Sequence, residues 1–333
     1  MAKIKGKLRV FMDGGIGRAT AFEITPARFD AAVKRNKAVA KRLDIVVGRN
    51  FDEVLANIEE VDMMLGFRFP KDAIRTRARR LKWCHNTGAG VEHLMPLDWL
   101  PKGAVLTNNR GIHAIKTGES GMMALLMLNN RMAEIAENQR ARRWQQIFTP
   151  PIKGKTVLIV GVGELGGATA RVAKAMGMRV WGVRRSGKPH PAVSRMVKPE
   201  KMDKLLPEVD FVFIAVPITG ETRRMIGRAE IARMKPGGGI VNFGRAAALD
   251  HDALTSALAS DHLSGAFLDV FDQEPLPESS PLWHTKNLVM TPHCTSDDLD
   301  AYMPATLDLF FENARRLMDG KPLKNKVDGA RQY

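Results

Sequence analysis

The sequence predicts an α/β protein of two domains built on parallel sheets, and three observations carry that expectation. The chain has 333 residues, about twice what one domain usually takes. Short apolar runs of strand length alternate with helical segments along the whole chain, as parallel sheets with crossover helices require. A glycine-rich turn follows the apolar run Thr156–Val160 and precedes a helical stretch, with more than 150 residues ahead of it.

The first series of strand-like runs is Leu8–Met12, Asp44–Val47, Asp62–Gly66, Leu81–His85 and Val105–Thr107. One long helix is expected from Gly118 to Arg143, because Met122, Leu125, Leu126, Met132 and Ile135 recur at three- and four-residue steps. Pro150-Pro151 should stop it. The second series opens with Thr156–Val160 and a helix to Met176. Strands follow at Arg179–Val183, Asp210–Ala215, Gly239–Asn242, Gly265–Asp269 and Asn287–Thr291. A last amphipathic segment, Asp298 to Met318, meets the helix stop Asp319-Gly320-Lys321-Pro322.

Composition removes several classes. With 44% hydrophobic and 26% charged residues, the chain reads as globular rather than disordered. Its most apolar stretch, Met122–Leu128, is far short of the roughly 18 residues of a spanning helix. The start Met1–Lys7 has no signal-peptide core. Cys84 and Cys294 cannot build a disulfide framework, no Cys/His spacing suits zinc, and no metal is expected. A cytoplasmic setting follows. The net charge of +15, densest over Arg75–Lys82, comes without a nucleic-acid motif. It reads as a solvated face that draws anionic ligands, so neither a nucleic-acid nor a membrane partner is expected.

The turn Gly161-Val162-Gly163-Glu164-Leu165-Gly166 has the dinucleotide-binding spacing. Its first glycine allows the tight turn, its second lets a pyrophosphate approach the backbone, and its third lets helix and strand pack closely. The helix N-terminus offers N–H groups and partial positive charge. An NAD site usually ends its second strand with an acid for the ribose 2′-OH. Here that strand runs into Arg184-Arg185-Ser186, and no acidic residue occurs from Arg179 to Pro199. Guanidiniums and a hydroxyl suit a 2′-phosphate, so NADP is favoured over NAD.

Three further segments read as chemistry. Asn242-Phe243-Gly244-Arg245, Leu268 to Pro275 and Thr291-Pro292-His293 each follow an expected strand, where ligands of open α/β sheets gather. His293 can exchange a proton near neutral pH. A carboxylate such as Glu274 would orient it, and Arg245 can clamp a carboxylate and polarise a carbonyl.

In this order the segments resemble the D-isomer-specific 2-hydroxyacid dehydrogenases, and within them the glyoxylate/hydroxypyruvate reductases. Gly88-Ala89-Gly90-Val91-Glu92-His93 is similar to the loop that holds the substrate carboxylate, which implies the N–H groups of Ala89 and Gly90. Thr117-Gly118-Glu119 is similar to the entry to the cofactor domain, and Val216-Pro217 with Thr222 to a turn beside the cofactor. The resemblance also implies cofactor roles for Gly244, Asp269 (toward the nicotinamide carboxamide) and Thr295.

It further implies two Rossmann-like or flavodoxin-like domains with the active site in the cleft between them. A cofactor domain, 109–292, would be inserted into a substrate domain of 1–108 and 293–333. The activity implied is reduction of glyoxylate or hydroxypyruvate with NADPH, with His293 as acid/base and Arg245 binding the acid. The alternatives are a reductase of a bulkier 2-oxo acid and a dinucleotide-sensing protein without turnover. Phosphoglycerate dehydrogenase with a regulatory tail is disfavoured because the chain stops soon after Asn325, and formate dehydrogenase because Glu274 stands where that group has Gln.

The chain departs from the pattern at Ala246, usually Gly, and at Cys294-Thr295, usually a small apolar pair. Cys294 is assigned to packing, since hydride transfer needs no thiol. Trp144 suits a substrate pocket or an interface. A homodimer is expected from the resemblance, and because Met122, Met123, Leu125, Leu126 and Leu128 exceed what one neighbour would cover.

Overall fold

The computed structural model describes residue 4 and residues 6–330. Met1–Lys3 and Lys5, within the start read above for a signal core, lie outside the described residues. Two compact units emerge, one of Met1–Ile112 with Asp297–Tyr333 and one of His113–Ser296.

In the first unit, β1 (Leu8–Asp13), β2 (Leu43–Gly48), β3 (Met63–Gly66), β4 (Trp83–Asn86) and β5 (Val105–Asn108) form one sheet in the order β2-β1-β3-β4-β5. Every pairing is parallel. Strands β3, β4 and β5 are buried at every position, which explains why they do not alternate apolar with polar residues. Helices α1 (Pro26–Arg35), α2 (Lys37–Ala40) and α3 (Lys71–Arg77) connect them. Thr25 starts α1, its hydroxyl accepting from the Arg28 N–H at 3.3 Å.

One face packs on the C-terminal helix Tyr302–Met318, where Leu307, Phe310 and Phe311 meet Val10, Met12 and Leu65. Trp83 stacks on Phe310 with ring centroids 4.7 Å apart. That helix begins later than the sequence suggests. The Asp298 carboxylate accepts the N–H groups of Asp300 and Ala301, so 298–301 is its lead-in turn. The basic run Arg75–Lys82 is largely paired: Arg75 with Asp72, Arg77 with Glu59, and both Arg80 and Lys82 with the buried Asp62.

The second unit has seven parallel strands. They are β6 (Thr156–Val160), β7 (Arg179–Val183), β8 (Arg195–Val197), β9 (Phe211–Ile214), β10 (Gly238–Asn242), β11 (Leu263–Leu268) and β12 (Leu288–Met290), in the order β12-β11-β10-β9-β6-β7-β8. The order reverses between β6 and β9, the switch point where open α/β sheets bind ligands beyond their carboxyl ends. Helices α4 (Ala114–Asn129), α5 (Met132–Arg140), α6 (Glu164–Ala175), α7 (Arg228–Arg233) and α8 (His251–Ala259) accompany the sheet. Successive strand residues face opposite layers. Leu158, Val212 and Ile240 meet Ile231 of α7 and Leu254 of α8. Val157, Ile159 and Phe213 meet Met122 and Leu125 of α4 and Ala170 of α6.

Three expectations are corrected here, and one strand went unread. The long helix 118–143 is two helices that start at Ala114 and end at Arg140. They break where Arg131 turns left-handed at φ +52° and its guanidinium pairs with Glu134 at 2.6 Å. The apolar rhythm runs across that break, so periodicity could not reveal it. Pro150-Pro151 stops no helix, since the chain already lacks helical structure from Arg143. The apolar half of α4 is not a spare surface: Met122, Leu125 and Leu128 are core residues, and only Met123 among the five is exposed. The edge strand β8, three residues with a basic start, carried too little pattern to be read.

Candidate active site

The glycine turn leaves β6 at its carboxyl end. Gly161 has φ +99°, and a Cβ there would lie 2.7 Å from the Ala215 carbonyl, so only glycine fits. A Cβ on Gly166 would sit 2.2 Å from the Gly161 carbonyl and 2.7 Å from Ile159 Cγ2, which is the close passage of α6 over the strand. Gly163 differs, because nothing lies within 4 Å of its missing Cβ. The space in front of the α6 N-terminus is therefore open, with Glu164 exposed and Leu165 half-buried at its first turn. A glycine that no protein atom requires, at a helix N-terminus, fits the approach of a phosphate group.

Past β7, the Arg184 N–H donates to the Val197 carbonyl at 3.0 Å and the Gly187 N–H returns to the Arg184 carbonyl at 2.8 Å. This turn presents a half-buried Arg184 with exposed Arg185 and Ser186. His190 packs on Gly167 of α6, and burial, then Arg171 and Arg184, hold its pKa below the usual histidine value. The turn after β9 places Val216 and Pro217 near the switch. Thr222 Oγ1 donates to the Pro217 carbonyl at 2.7 Å, and Val216 backbone atoms lie 2.7–2.9 Å from where a Gly244 Cβ would be. Thr222 thus shapes the turn. Thr117 is fully buried on α4, and its hydroxyl bonds the His113 carbonyl at 2.8 Å and Ser296 Oγ at 3.0 Å.

The side chains singled out in the sequence as candidates follow strands β10, β11 and β12. Arg245 is half-buried past β10, with its Nη1 donating to the Gly244 carbonyl at 2.8 Å and its own carbonyl held by Asn242 Nδ2 at 3.1 Å. Asp269 caps β11 and is 2% exposed. Burial pushes its carboxyl above the ordinary range, against hydrogen bonds such as that from Thr291. Thr291 Oγ1 at 2.7 Å and the N–H groups of Cys294 and Thr295 at 3.1 and 3.3 Å all meet its Oδ1.

These bonds pin the segment carrying His293, whose backbone is left-handed at φ +50°. His293 Nδ1 lies 2.7 Å from Glu274 Oε2, and Glu274 Oε1 accepts from the Phe271 N–H at 2.9 Å. An ionised carboxylate only accepts, so Nδ1 carries the hydrogen and Nε2 is left for a second partner. Cys294 is exposed, which corrects its assignment to packing.

In the first unit, the loop after β4 holds Ala89 and Gly90, both half-buried. Asn108 Nδ2 binds the Ala89 carbonyl at 2.7 Å, and Asn86 Nδ2 binds those of Gly88 and Gly90 at 2.9 Å. The N–H groups of Ala89 and Gly90 have no acceptor among the described residues. Sequence reasoning passed over these asparagines, although polar pairs ending apolar strands, His85-Asn86 and Asn108-Asn109, were a readable signal. Among the described residues no cluster of His, Cys, Asp and Glu could hold a metal, and no helix is long and apolar enough to cross a membrane.

Switch-point topology, a glycine-lined helix N-terminus and, past the same sheet's strands, a histidine–carboxylate pair and an arginine define a dinucleotide-dependent oxidoreductase of the doubly wound class. Residues 122–295 match the D-isomer specific 2-hydroxyacid dehydrogenase family in its NAD binding domain. The chain is 34% identical over 238 residues to a glyoxylate/hydroxypyruvate reductase B of Pectobacterium carotovorum, covering 69% of this chain and 74% of that one. It is 28% identical over 311 residues to a D-3-phosphoglycerate dehydrogenase of Methanocaldococcus jannaschii, covering 92% and 59%. A D-isomer specific 2-hydroxyacid dehydrogenase from Xanthobacter autotrophicus, solved with NADPH and MES, superposes with TM-score 0.82 at 27% identity, over 99% of this chain and all of that one. The chain belongs to the D-isomer specific 2-hydroxyacid dehydrogenase family.

Proposed function

We propose that this chain is a cytoplasmic, NADPH-dependent reductase of small 2-oxo acids, with glyoxylate and hydroxypyruvate as its substrates. The observation that carries the reading is the His293–Glu274 pair, which, like Arg245, follows a strand at the carboxyl edge of the sheet that bears the glycine turn. When bound, the nicotinamide cofactor supplies the hydride. Gly161, Gly163 and Gly166 with the α6 N-terminus receive its pyrophosphate, and Arg184, Arg185 and Ser186 receive the 2′-phosphate. Protein donors converge on Asp269 Oδ1, which leaves Oδ2 for the carboxamide.

The chain's own residues do the rest. The N–H groups of Ala89 and Gly90 suit the carboxylate of an acid. Within the second unit, Arg245 binds the acid and polarises the carbonyl. His293 gives the Nε2 proton to the carbonyl oxygen, while Glu274 holds Nδ1 and so orients the ring. Glyoxylate and hydroxypyruvate are preferred because the Pectobacterium relative, at 34% identity, is named for them. Oxidation of NADPH and of NADH should be followed with glyoxylate, hydroxypyruvate and bulkier 2-oxo acids. Turnover of the two small acids with NADPH is expected. No turnover of any 2-oxo acid with either cofactor would end the reading.

A further inference from the structure

The loop after β4 is held from within the first unit by a chain of side chains that ends far from it in sequence. The Thr87 carbonyl accepts from Tyr302 OH and from Asn109 Nδ2, the latter at 2.6 Å. The Gly88 carbonyl accepts from the Asn109 N–H at 3.1 Å and from Asn86 Nδ2 at 2.9 Å. Ala89 and Gly90 are tethered by Asn108 and Asn86. Each carbonyl from Thr87 to Gly90 therefore points to the interior. A trans peptide directs its N–H opposite to its carbonyl, so the N–H groups of Gly88, Ala89 and Gly90, all half-buried, face outward. Successive outward N–H groups form a cradle for an anion.

The tethers are ordered by a second layer. Trp83 Nε1 donates to Thr107 Oγ1 at 2.8 Å, so the Thr107 hydrogen goes to His85 Nδ1, 2.6 Å away. His85 Nε2 then carries a hydrogen and donates to Asn109 Oδ1 at 3.0 Å. With its oxygen thus engaged, Asn109 turns both amide hydrogens to Thr87 O and to Thr306 Oγ1, the latter at 2.7 Å. Thr306 passes its own hydrogen to the Tyr302 carbonyl at 2.9 Å. Asn109 Nδ2 also lies 3.4 Å from Tyr302 OH, and reversing the Asn109 amide would set its oxygen against the Thr87 carbonyl, two acceptors facing each other. Burial holds the His85 pKa down to about 4, so the ring stays neutral and the circuit keeps one direction near neutral pH.

We infer that His85, Asn109 and Tyr302 are positioning residues for the substrate acid: they aim the N–H groups of Gly88–Gly90 without touching the substrate. This rests on the reading of that loop as the carboxylate site. Tyr302→Phe tests it most gently, because the ring keeps its edge-on packing against Phe22, with centroids 5.0 Å apart. Asn108→Ser removes an independent tether at Ala89.

One net hydrogen bond is worth about 0.5–1.5 kcal/mol, so the KM for glyoxylate should rise roughly two- to tenfold in each variant. The kcat and the KM for NADPH should stay within about twofold, since the loss is of uniform acid binding. A protein that simply folds less well would lose apparent kcat and leave both KM values alone. An unchanged glyoxylate KM in both variants, or an equal rise in the NADPH KM, overturns the inference. If the wild type reduces no 2-oxo acid, the proposed function falls while this inference is decided by hydrogen–deuterium exchange over residues 86–91. Faster exchange in Tyr302→Phe sustains it, and unchanged exchange overturns it.

Discussion

Replacing Gly163 and Gly166 separately by alanine should split binding from stability within one turn. At Gly163 the new methyl meets no protein atom within 4 Å, and the backbone φ of −102° is ordinary for alanine. Folding should be unaffected or favoured by about 0.4–1 kcal/mol through the stiffer unfolded chain. The same methyl stands where a pyrophosphate must come to reach the α6 N–H groups. Each charge-assisted bond it removes is worth about 1.5–3 kcal/mol, so the NADPH dissociation constant should rise about 10- to 150-fold per bond lost.

At Gly166 the methyl would be 2.2 Å from a carbonyl oxygen and 2.7 Å from a methyl carbon. Strand and helix must part, an overpacking cost of about 1–3 kcal/mol. For a unit of this size that lowers Tm by roughly 2–12 °C. Fluorescence titration with NADPH and calorimetry on both variants measure the two quantities. Wild-type NADPH affinity in Gly163→Ala, or a Gly166→Ala protein melting no lower than Gly163→Ala, would refute the division.

Four further outcomes follow from the structure. His293→Ala should lower kcat at least 100-fold with NADPH binding kept, as loss of general acid catalysis costs about 100- to 10,000-fold; a drop under tenfold in stopped-flow turnover would sink the assignment. Arg184→Asp should raise the KM for NADPH about 10- to 100-fold and improve NADH, because the 2′-phosphate contact is charge-assisted binding remote from the reacting carbon; equal kcat/KM for both cofactors in the wild type would leave the arginines as surface charge. His85, held down to about 4 against a usual 6.5, binds its proton more weakly folded than unfolded. Its contribution is complete above pH 6.5 and is lost at about 1.4 kcal/mol per unit as pH falls toward 4, and an NMR titration midpoint near 6.5 would contradict it. Finally, the exposed Ile115, Met123, Met132, Trp144 and Phe148 are the apolar surface that a homodimer would cover, and light scattering at micromolar concentration should give twice the 36.9 kDa of one chain.

The strands were legible because parallel strands covered on both faces are mostly apolar runs, and eleven of the twelve fell within two residues of their expected ends. Chemistry written in short motifs was legible too, as with Glu274 and His293, which meet at 2.7 Å. What escaped was decided by geometry without periodicity. Arg131 breaks a helix by one backbone dihedral while the apolar rhythm continues. The tethers of the acid loop come from positions 85, 86, 108, 109 and 302, and no local pattern joins residues so far apart. Burial likewise settled the fate of α4, whose apolar side chains face its own sheet.

On the proposed reading, the loop after β4 recognises its anion with main-chain groups, and this leaves less of the recognition to its side chains. Side chains along it can change over generations without altering the charge pattern offered to an acid, provided the carbonyls stay tied behind it. A carboxylate, common to every 2-oxo acid, is thereby met by the part of the protein hardest to mutate. Discrimination among acids would then fall to side chains, such as those of Phe67 and His93, stacked 4.3 Å apart beside the loop. A lineage built this way can exchange one substrate for another by small steps, never passing through a form that has lost its hold on the acid itself.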